Sequence, residues 1–320
     1  MADLPLSAPA PTEPGGEDFK DSDSVVDGVR DVCKALKVRR VRVVAALSGH
    51  AVSVKRLTVP SMSDAELAEA IPWEAEQYVP FDLSEVHLDY QVLGVGSSDP
   101  KPKSDVLTVL LVAAKRDHIA ARADVIARAG KSTSVIDIEA FALTNAYQVN
   151  YPERSDPLAA LVHVGRQTTV VCVLDRGNPA FTRDIAFGGQ HHTDALMRDL
   201  GVDAVTAERI KQGHLPDSID AERASAVLRE VTSQLVLEIR KSIDFFRSTA
   251  PIERLSRIVL SGGAWRADGL ADLLGSEFDT SVEVMDPFRR IQLGRRAETG
   301  DVPGPEYAVA VGLALRQEVA

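Results

Sequence analysis

Three short stretches of this chain carry residue types that could hold an anion. The first is "GRQTT", Gly165 to Thr169, a tight turn between two apolar runs. Glycine lets the backbone approach closely, and hydroxyl and N–H groups all donate, so such a turn can wrap a phosphate. Its candidate donors are Gly165, Thr168 and Thr169. The second stretch is Ser261, Gly262, Gly263 and Ala264, which leave an apolar run and lead toward a helix. A helix start offers unpaired N–H groups and positive potential. The third is Glu208 and Lys211, three apart and therefore on one helical face. There a carboxylate would suit ribose hydroxyls, and an ammonium would suit the neighbourhood of adenine. Each signal has a plain alternative: a Gly-Gly pair is often only a turn, and Glu-x-x-Lys is often a solvated ion pair. Their order along the chain is what points to a nucleotide.

One position argues the other way. A phosphate site that works with magnesium usually keeps a carboxylate where its first strand ends, and this chain has His163 there. Magnesium prefers oxygen ligands, so a neutral imidazole is a poor substitute. Other polar residues are weaker candidates. His191 and His192 are expected to have a surface or capping role. Asp137 and Glu139 sit at a strand end, where facing a cleft and simple solvation are equally open. Trp73, Tyr78 and Phe81 read either as core or as the lining of a partner groove. There is no Ser/His/Asp order with distinctive spacing, no Cys/His cluster and no nucleic-acid motif.

The elements that must position these residues alternate between strand and helix, which makes the chain α/β. Residues 1–24 are rich in Pro, Ala, Gly, Asp and Glu and are expected to be disordered or loosely attached. Val25, Val29, Val32 and Leu36 then mark one face of a helix, and "VRVVAALS" and "AVSVKRLTV" read as strands. Ser63 with Glu66 three residues on forms a capping box for the next helix, which Pro72 should kink or restart. Two strands around the polar "SSDPKPKS", a helix over 117–129, the strand "SVIDIEAF" and a helix ending near Tyr147 complete the first half. After the linker "YPERSDP" comes the candidate hairpin, and then two helices flanking "TAERIKQG". A long helix over 221–247 has Leu228, Val231, Leu235, Ile239, Ile243 and Phe246 as its buried stripe. A strand, a helix, a strand and a final helix follow. Met62, Trp265 and Phe288 read as packing residues.

Composition limits the partners. At 320 residues there is room for two ordinary domains, and 45% hydrophobic with 26% charged residues is globular. A formal net charge of −11 opposes an electrostatic grip on nucleic acid or anionic lipid. The first residues lack the form of a signal peptide, and no apolar run approaches the ~20 residues of a spanning helix. Cys33 and Cys172 are too few for a disulfide framework and read as buried thiols. The expected location is the cytoplasm.

The order of hairpin, Glu-x-x-Lys and strand-Ser-Gly-Gly resembles the actin-like ATPase superfamily. Within it, the chain resembles the PilM family of type IV pilus assembly, relatives of the division protein FtsA. The likeness is carried by "IPWEAEQYVPFDLSEVHLDYQVLG" (71–94), "DIEAFALTNA" (137–146), "FTRDIAFGG" (181–189), "IRKSIDFFRS" (239–248) and "SGGAWRADGL" (261–270). It runs from about Val25 to the C-terminus. The resemblance implies an actin-like two-lobed fold with ribonuclease H-like halves: lobe 1 over 25–150 with an inserted α+β subdomain at 51–130, and lobe 2 over 151–304. A terminal helix over 305–320 would return to lobe 1, and the helix from Phe141 to Tyr147 would cross between lobes. It implies a second phosphate loop at 163–169, with adenosine contacts at Glu208, Lys211 and Ser261 to Ala264. ATP with Mg²⁺ would be the ligand.

The resemblance also implies that the groove between lobe 1 and the insert receives the N-terminal peptide of a PilN-like inner-membrane protein, with Trp73, Tyr78 and Phe81 as its candidate lining. That would link a cytoplasmic homo-oligomeric ring to the pilus platform and its motor ATPases, and so to twitching motility, with the membrane reached only through partners. Two departures weaken the nucleotide site. No strand ending in an Asp-x-Gly-Ser first phosphate loop is present, and the second-loop Asp is replaced by His163. The missing first strands read either as a start placed too far downstream or a truncation, or as a rebuilt lobe. The leading expectation is therefore a scaffold with ATP at most a structural ligand. A working ATPase or an FtsA-like division tether is the alternative.

Overall fold

The computed structural model describes residues 23–37, 41–95, 106–152, 157–249, 254–292 and 304–316. Most of the acidic, Pro-rich start and the loop "SSDPKPKS" therefore lie outside the described residues. The chain divides into two compact units, one ending at Ile138 and one starting at Glu139.

The first unit opens with helix α1 (Asp23–Ala35), beginning where the valine face predicts. Val26 of α1 is buried with Val125 and Ala129 of helix α3 (Arg116–Arg128) and the residue after it. Strand β1 (Arg42–Leu47) pairs in parallel with β5 (Ser132–Ile138). Between them in sequence lies a separate layer: strands β2 (Val52–Pro60), β3 (Val86–Val95) and β4 (Val106–Lys115), antiparallel in the order β2-β4-β3.

Helix α2 (Asp64–Tyr78) lies on this sheet and buries Leu67, Ile71 and Ala75 against Leu57, Val59, Val109, Leu111 and Ala113. Its start follows the capping box read from sequence. The Ser63 hydroxyl accepts from the Glu66 N–H at 3.4 Å, and the Ser63 N–H donates to Glu66 Oε2 at 2.8 Å. Of the two outcomes expected at Pro72, a kink or a restart, the restart does not occur, since one helix runs through it. The proline is on the exposed side, where water can serve the carbonyl it leaves unpaired, while Leu67, Ile71 and Ala75 hold both halves to one core.

The second unit is built on a five-stranded sheet in the order β10-β9-β6-β7-β8. Its strands are β6 (Leu158–Val164), β7 (Thr169–Asp175), β8 (Asn178–Ile185), β9 (Arg257–Ser261) and β10 (Ser281–Val284). The first three form an antiparallel meander, and β9 and β10 run parallel to β6. β6 and β7 are buried on both faces, which explains runs as uniformly apolar as "LAALVHV" and "TVVCVLD".

On one face, helix α7 (Ala221–Thr249) and helix α8 (Leu270–Phe278) cover Leu158, Ala160, Val162 and Val164. All of the predicted α7 stripe is buried, with Leu235, Ile239 and Ile243 fully so, each worth on the order of 2 kcal/mol. On the other face lies helix α4 (Glu139–Asn150), whose Thr144 hydroxyl sits 3.7 Å from the Cys172 sulfur. Helix α9 (Ala308–Ala314) packs along α4, so close that a Cβ on Gly312 would stand 1.8 Å from the Ala142 carbonyl oxygen. Sequence reading placed α4 with lobe 1, and both α4 and α9 group here with the second unit. The reason is burial: Ala140, Ala142, Leu143, Ala146 and Tyr147 of α4 are all enclosed.

Candidate functional site

The carboxyl ends of β6 and β9 and the start of helix α5 (Gly189–Leu200) meet at one end of the five-stranded sheet. In open α/β sheets this is where ligands bind. Register puts His163 beside Ser261, and their Nδ1 and Oγ atoms are hydrogen-bonded at 3.0 Å. Burial holds the His163 imidazole well below its ordinary pKa, at about 4, so at neutral pH it is uncharged.

The turn after β6 is closed by the Gly165 N–H donating to the Thr168 carbonyl at 2.9 Å. Its own carbonyls face α5: the Gly189 N–H donates to Gly165 O at 2.9 Å and the Gln190 N–H to Arg166 O at 2.6 Å. Thr169 is buried, and its hydroxyl donates to the Phe187 carbonyl at 2.7 Å. The turn after β9 presses equally hard on β6. Gly262 has φ of +98°, and a Cβ there would stand 2.3 Å from Val164 O. Only glycine tolerates both demands. The Ala264 N–H donates to the same Val164 carbonyl at 3.0 Å, and the Gly262 N–H to Pro305 O at 3.2 Å.

Helix α6 (Ala204–Lys211) brings the third predicted element to the same place. Lys211 Nζ donates to Glu208 Oε2 at 2.6 Å, to Thr193 Oγ1 at 3.1 Å and to the Gly189 carbonyl at 3.3 Å. The Thr193 hydroxyl reaches the Glu208 carboxylate at 3.1 Å. Ala264 seals the cluster, since a Cβ on Gly189 would lie 2.8 Å from the Ala264 methyl and 3.5 Å from Lys211 Nζ. The predicted set Gly165, Thr168, Thr169, Glu208, Lys211 and Ser261 to Ala264 is thus one spatial cluster. As placed, most of its polar groups answer one another, and Gly263 is left exposed.

Thr193 is the member that sequence reading missed. Its signal was available, because it stands four residues after Gly189 on the same helical face. The two histidines of α5 divide their roles. His191 caps the helix, its Nδ1 accepting from the Gly188 N–H at 3.2 Å. His192 corrects the expectation of a surface or capping role. It is fully buried against α7, with Nε2 3.1 Å from Thr232 Oγ1. Burial first, then the charges of Lys211 and His191, lower its pKa to about 4. Cys172 is buried as expected, its thiol pushed up to about 12 by desolvation, whereas Cys33 is only partly buried. Asp137 is buried at the end of β5, and its Oδ1 accepts from the Ile138 N–H at 2.8 Å. Among the described residues no group of three or more His, Cys, Asp or Glu is arranged to hold a metal ion.

A second feature lies in the first unit. The end of α2 and the segment after it enclose a groove of about 460 Å³ lined by Pro72, Trp73, Glu76, Phe81, Asp82 and Leu83. Trp73 is 74% exposed and Tyr78 46%, so neither is core. Phe81 is partly buried against the β2-β4-β3 core, with Lys115 Nζ 5.2 Å from its ring centre. Met62 packs on the same core, and Trp265 on the core of the second unit.

The family described as "Type IV pilus assembly protein PilM" matches residues 8–318 of this chain. The chain belongs to this family. It is similar to a solved structure described as a PilM–PilN type IV pilus biogenesis complex, with 28% identity and a TM-score of 0.79. That match covers 96% of this chain and 89% of the other. The α/β architecture expected from sequence is the observed one, in two compact units, and the fold is that of the PilM–PilN structure it resembles.

Two further structures are similar over about three fifths of the chain. The ethanolamine utilization protein EutJ from Carboxydothermus hydrogenoformans is 21% identical, with a TM-score of 0.44 over 61% of this chain and 59% of that one. MreB5 of Spiroplasma citri bound to ADP is 16% identical, with a TM-score of 0.46 over 62% and 64%. No helix among the described residues is long and apolar enough to cross a membrane.

Proposed function

We propose that the chain is a scaffold of the type IV pilus assembly platform, and that the groove beside Trp73 docks the N-terminal peptide of a PilN-like inner-membrane protein. The observation that carries this reading is the exposure of Trp73 over that groove. Large aromatic side chains left in water beside a concavity mark interaction sites, and Trp and Tyr anchors supply much of the energy of such contacts. Membership of the PilM family and the likeness to a PilM–PilN complex supply the partner class. Glu76 and Asp82 line the groove, and hydrogen bonds from Ser84 lower the Asp82 pKa and keep that carboxylate ionised. The complementary peptide carries Lys or Arg beside its apolar anchors. A cytoplasmic position against the inner membrane, a ring of copies and contact with the motor ATPases belong to the same reading.

The test is fluorescence anisotropy of a labelled PilN-type N-terminal peptide titrated with the full chain. Trp73→Ala should weaken binding at least tenfold, about 1.4 kcal/mol, while the thermal midpoint stays within about 1 °C. Binding should also weaken as salt rises from 50 to 500 mM. Equal affinity of wild type and Trp73→Ala would overturn the groove assignment.

A further inference from the structure

We propose that the second unit is closed by an internal lock in place of a magnesium nucleotide, so that this scaffold works without ATP. The lock is Lys211, Glu208 and Thr193 together with the Ala264 methyl against Gly189. The inference concerns the β6–β9 end of the sheet and stands apart from the docking reading.

A magnesium nucleotide makes three demands on such a site, and the residues present answer them only in part, the exposed Gly263 and the tip of the β6 turn being the places where backbone donors stay open. Phosphates need free donors. The N–H groups of Gly189 and Gln190, at the α5 start, are taken by the Gly165 and Arg166 carbonyls. The Gly165 N–H and the Thr169 hydroxyl are taken by Thr168 O and Phe187 O. Magnesium needs hard oxygen ligands. The strand end offers an imidazole bonded to Ser261, and the carboxylate of this cluster, Glu208, is held by Lys211. A sugar and base need space between the α5 start and the Ser-Gly-Gly turn. Ala264 is in van der Waals contact there, close enough that Gly189 could not carry a methyl of its own.

These same contacts perform the ligand's mechanical task. Lys211 on α6 ties the first turn of α5 through Gly189 O and Thr193, and α5 is in turn tied to the β6 hairpin. One ammonium thereby joins the elements that a bound nucleotide would otherwise bridge. Because the ammonium and the carboxylate are both partly shielded from water, their attraction is screened less than that of a surface pair.

The experiment uses the full chain, purified without denaturant. It is titrated calorimetrically with ATP alone and with ATP and Mg²⁺ to 1 mM, and melted in the same mixtures. The expected results are no heat of binding and an unmoved midpoint. Lys211→Met should lower the midpoint by about 3–6 °C, equally with and without ATP. If that variant does not fold, Lys211→Gln, which keeps a donor for Gly189 O, takes its place with a smaller drop. Saturable binding of either mixture would overturn the proposal. So would a midpoint raised by about 5–10 °C, the rise expected of a ligand at a hundred times its Kd. A Lys211 variant that melts like the wild type would refute the lock itself.

Discussion

Gly312 offers a prediction in which local and tertiary physics disagree in sign. The residue lies inside α9, and glycine within a helix costs roughly 0.5–1 kcal/mol relative to alanine. Helix propensity by itself therefore predicts that Gly312→Ala stabilises the protein. The packing predicts the reverse. An alanine methyl at 312 would lie 1.8 Å from the Ala142 carbonyl oxygen, 2.4 Å from its carbonyl carbon and 3.0 Å from its Cα. All three are backbone atoms of α4, so no side chain can swing aside. An ordinary contact of about 3.4 Å requires the two helices to part by more than 1 Å, and overpacking on that scale costs about 1–3 kcal/mol or more.

The net expectation is destabilisation by about 2 kcal/mol, with α9 releasing from α4 before the unit unfolds. Two readouts suffice: the thermal midpoint, expected to fall by about 4–8 °C, and hydrogen exchange of residues 308–315, expected to quicken. A midpoint equal to or above that of the wild type, with α9 still protected, would refute the close approach of these helices.

Two histidines and one helix cap give further expectations. His163 and His192 each have a folded pKa near 4 against 6.5 when exposed, so the unfolded chain takes up protons that the folded chain refuses between those pH values. Their contribution is complete above about pH 6.5 and is lost toward pH 4, approaching roughly 3 kcal/mol each. Urea unfolding from pH 7 to pH 4.5 should show that acid slope, and His192→Gln should reduce it; an unchanged slope would count against the buried, neutral ring. Ser63→Ala removes the cap of α2 and should cost about 1 kcal/mol, or 2–4 °C, while leaving peptide affinity at the other end of the helix unaltered.

Much of this molecule is legible in its sequence. The α7 stripe could be read off because a 3.6-residue period forces Leu228 through Phe246 onto one face, whatever they pack against. The α2 start was visible because a capping box is a contact between residues three apart. The trio of candidate elements was recognisable because glycine, hydroxyl and Glu-x-x-Lys patterns are properties of single turns. Where the outcome departed from sequence reading, the deciding partner lay far along the chain. The helix does not restart at Pro72 because a core from three strands holds both halves of α2. His192 is buried because α7, some forty residues on, covers it at Thr232. Its spacing of four from the buried Leu196 was the available hint.

Periodicity was thus enough to specify several elements and the buried stripe of α7, and the order of the three candidate stretches, with the family resemblance, pointed to their convergence at the end of the β6–β9 pair. They could not specify whether those groups await a ligand or satisfy one another. A donor is free or spent according to the acceptor within about 3 Å of it, and for Gly189, Gln190 and Thr169 that acceptor is a backbone carbonyl from another element. Every residue supplies an identical carbonyl, so no choice of amino acid marks its presence; the packing of α5 against the hairpin does.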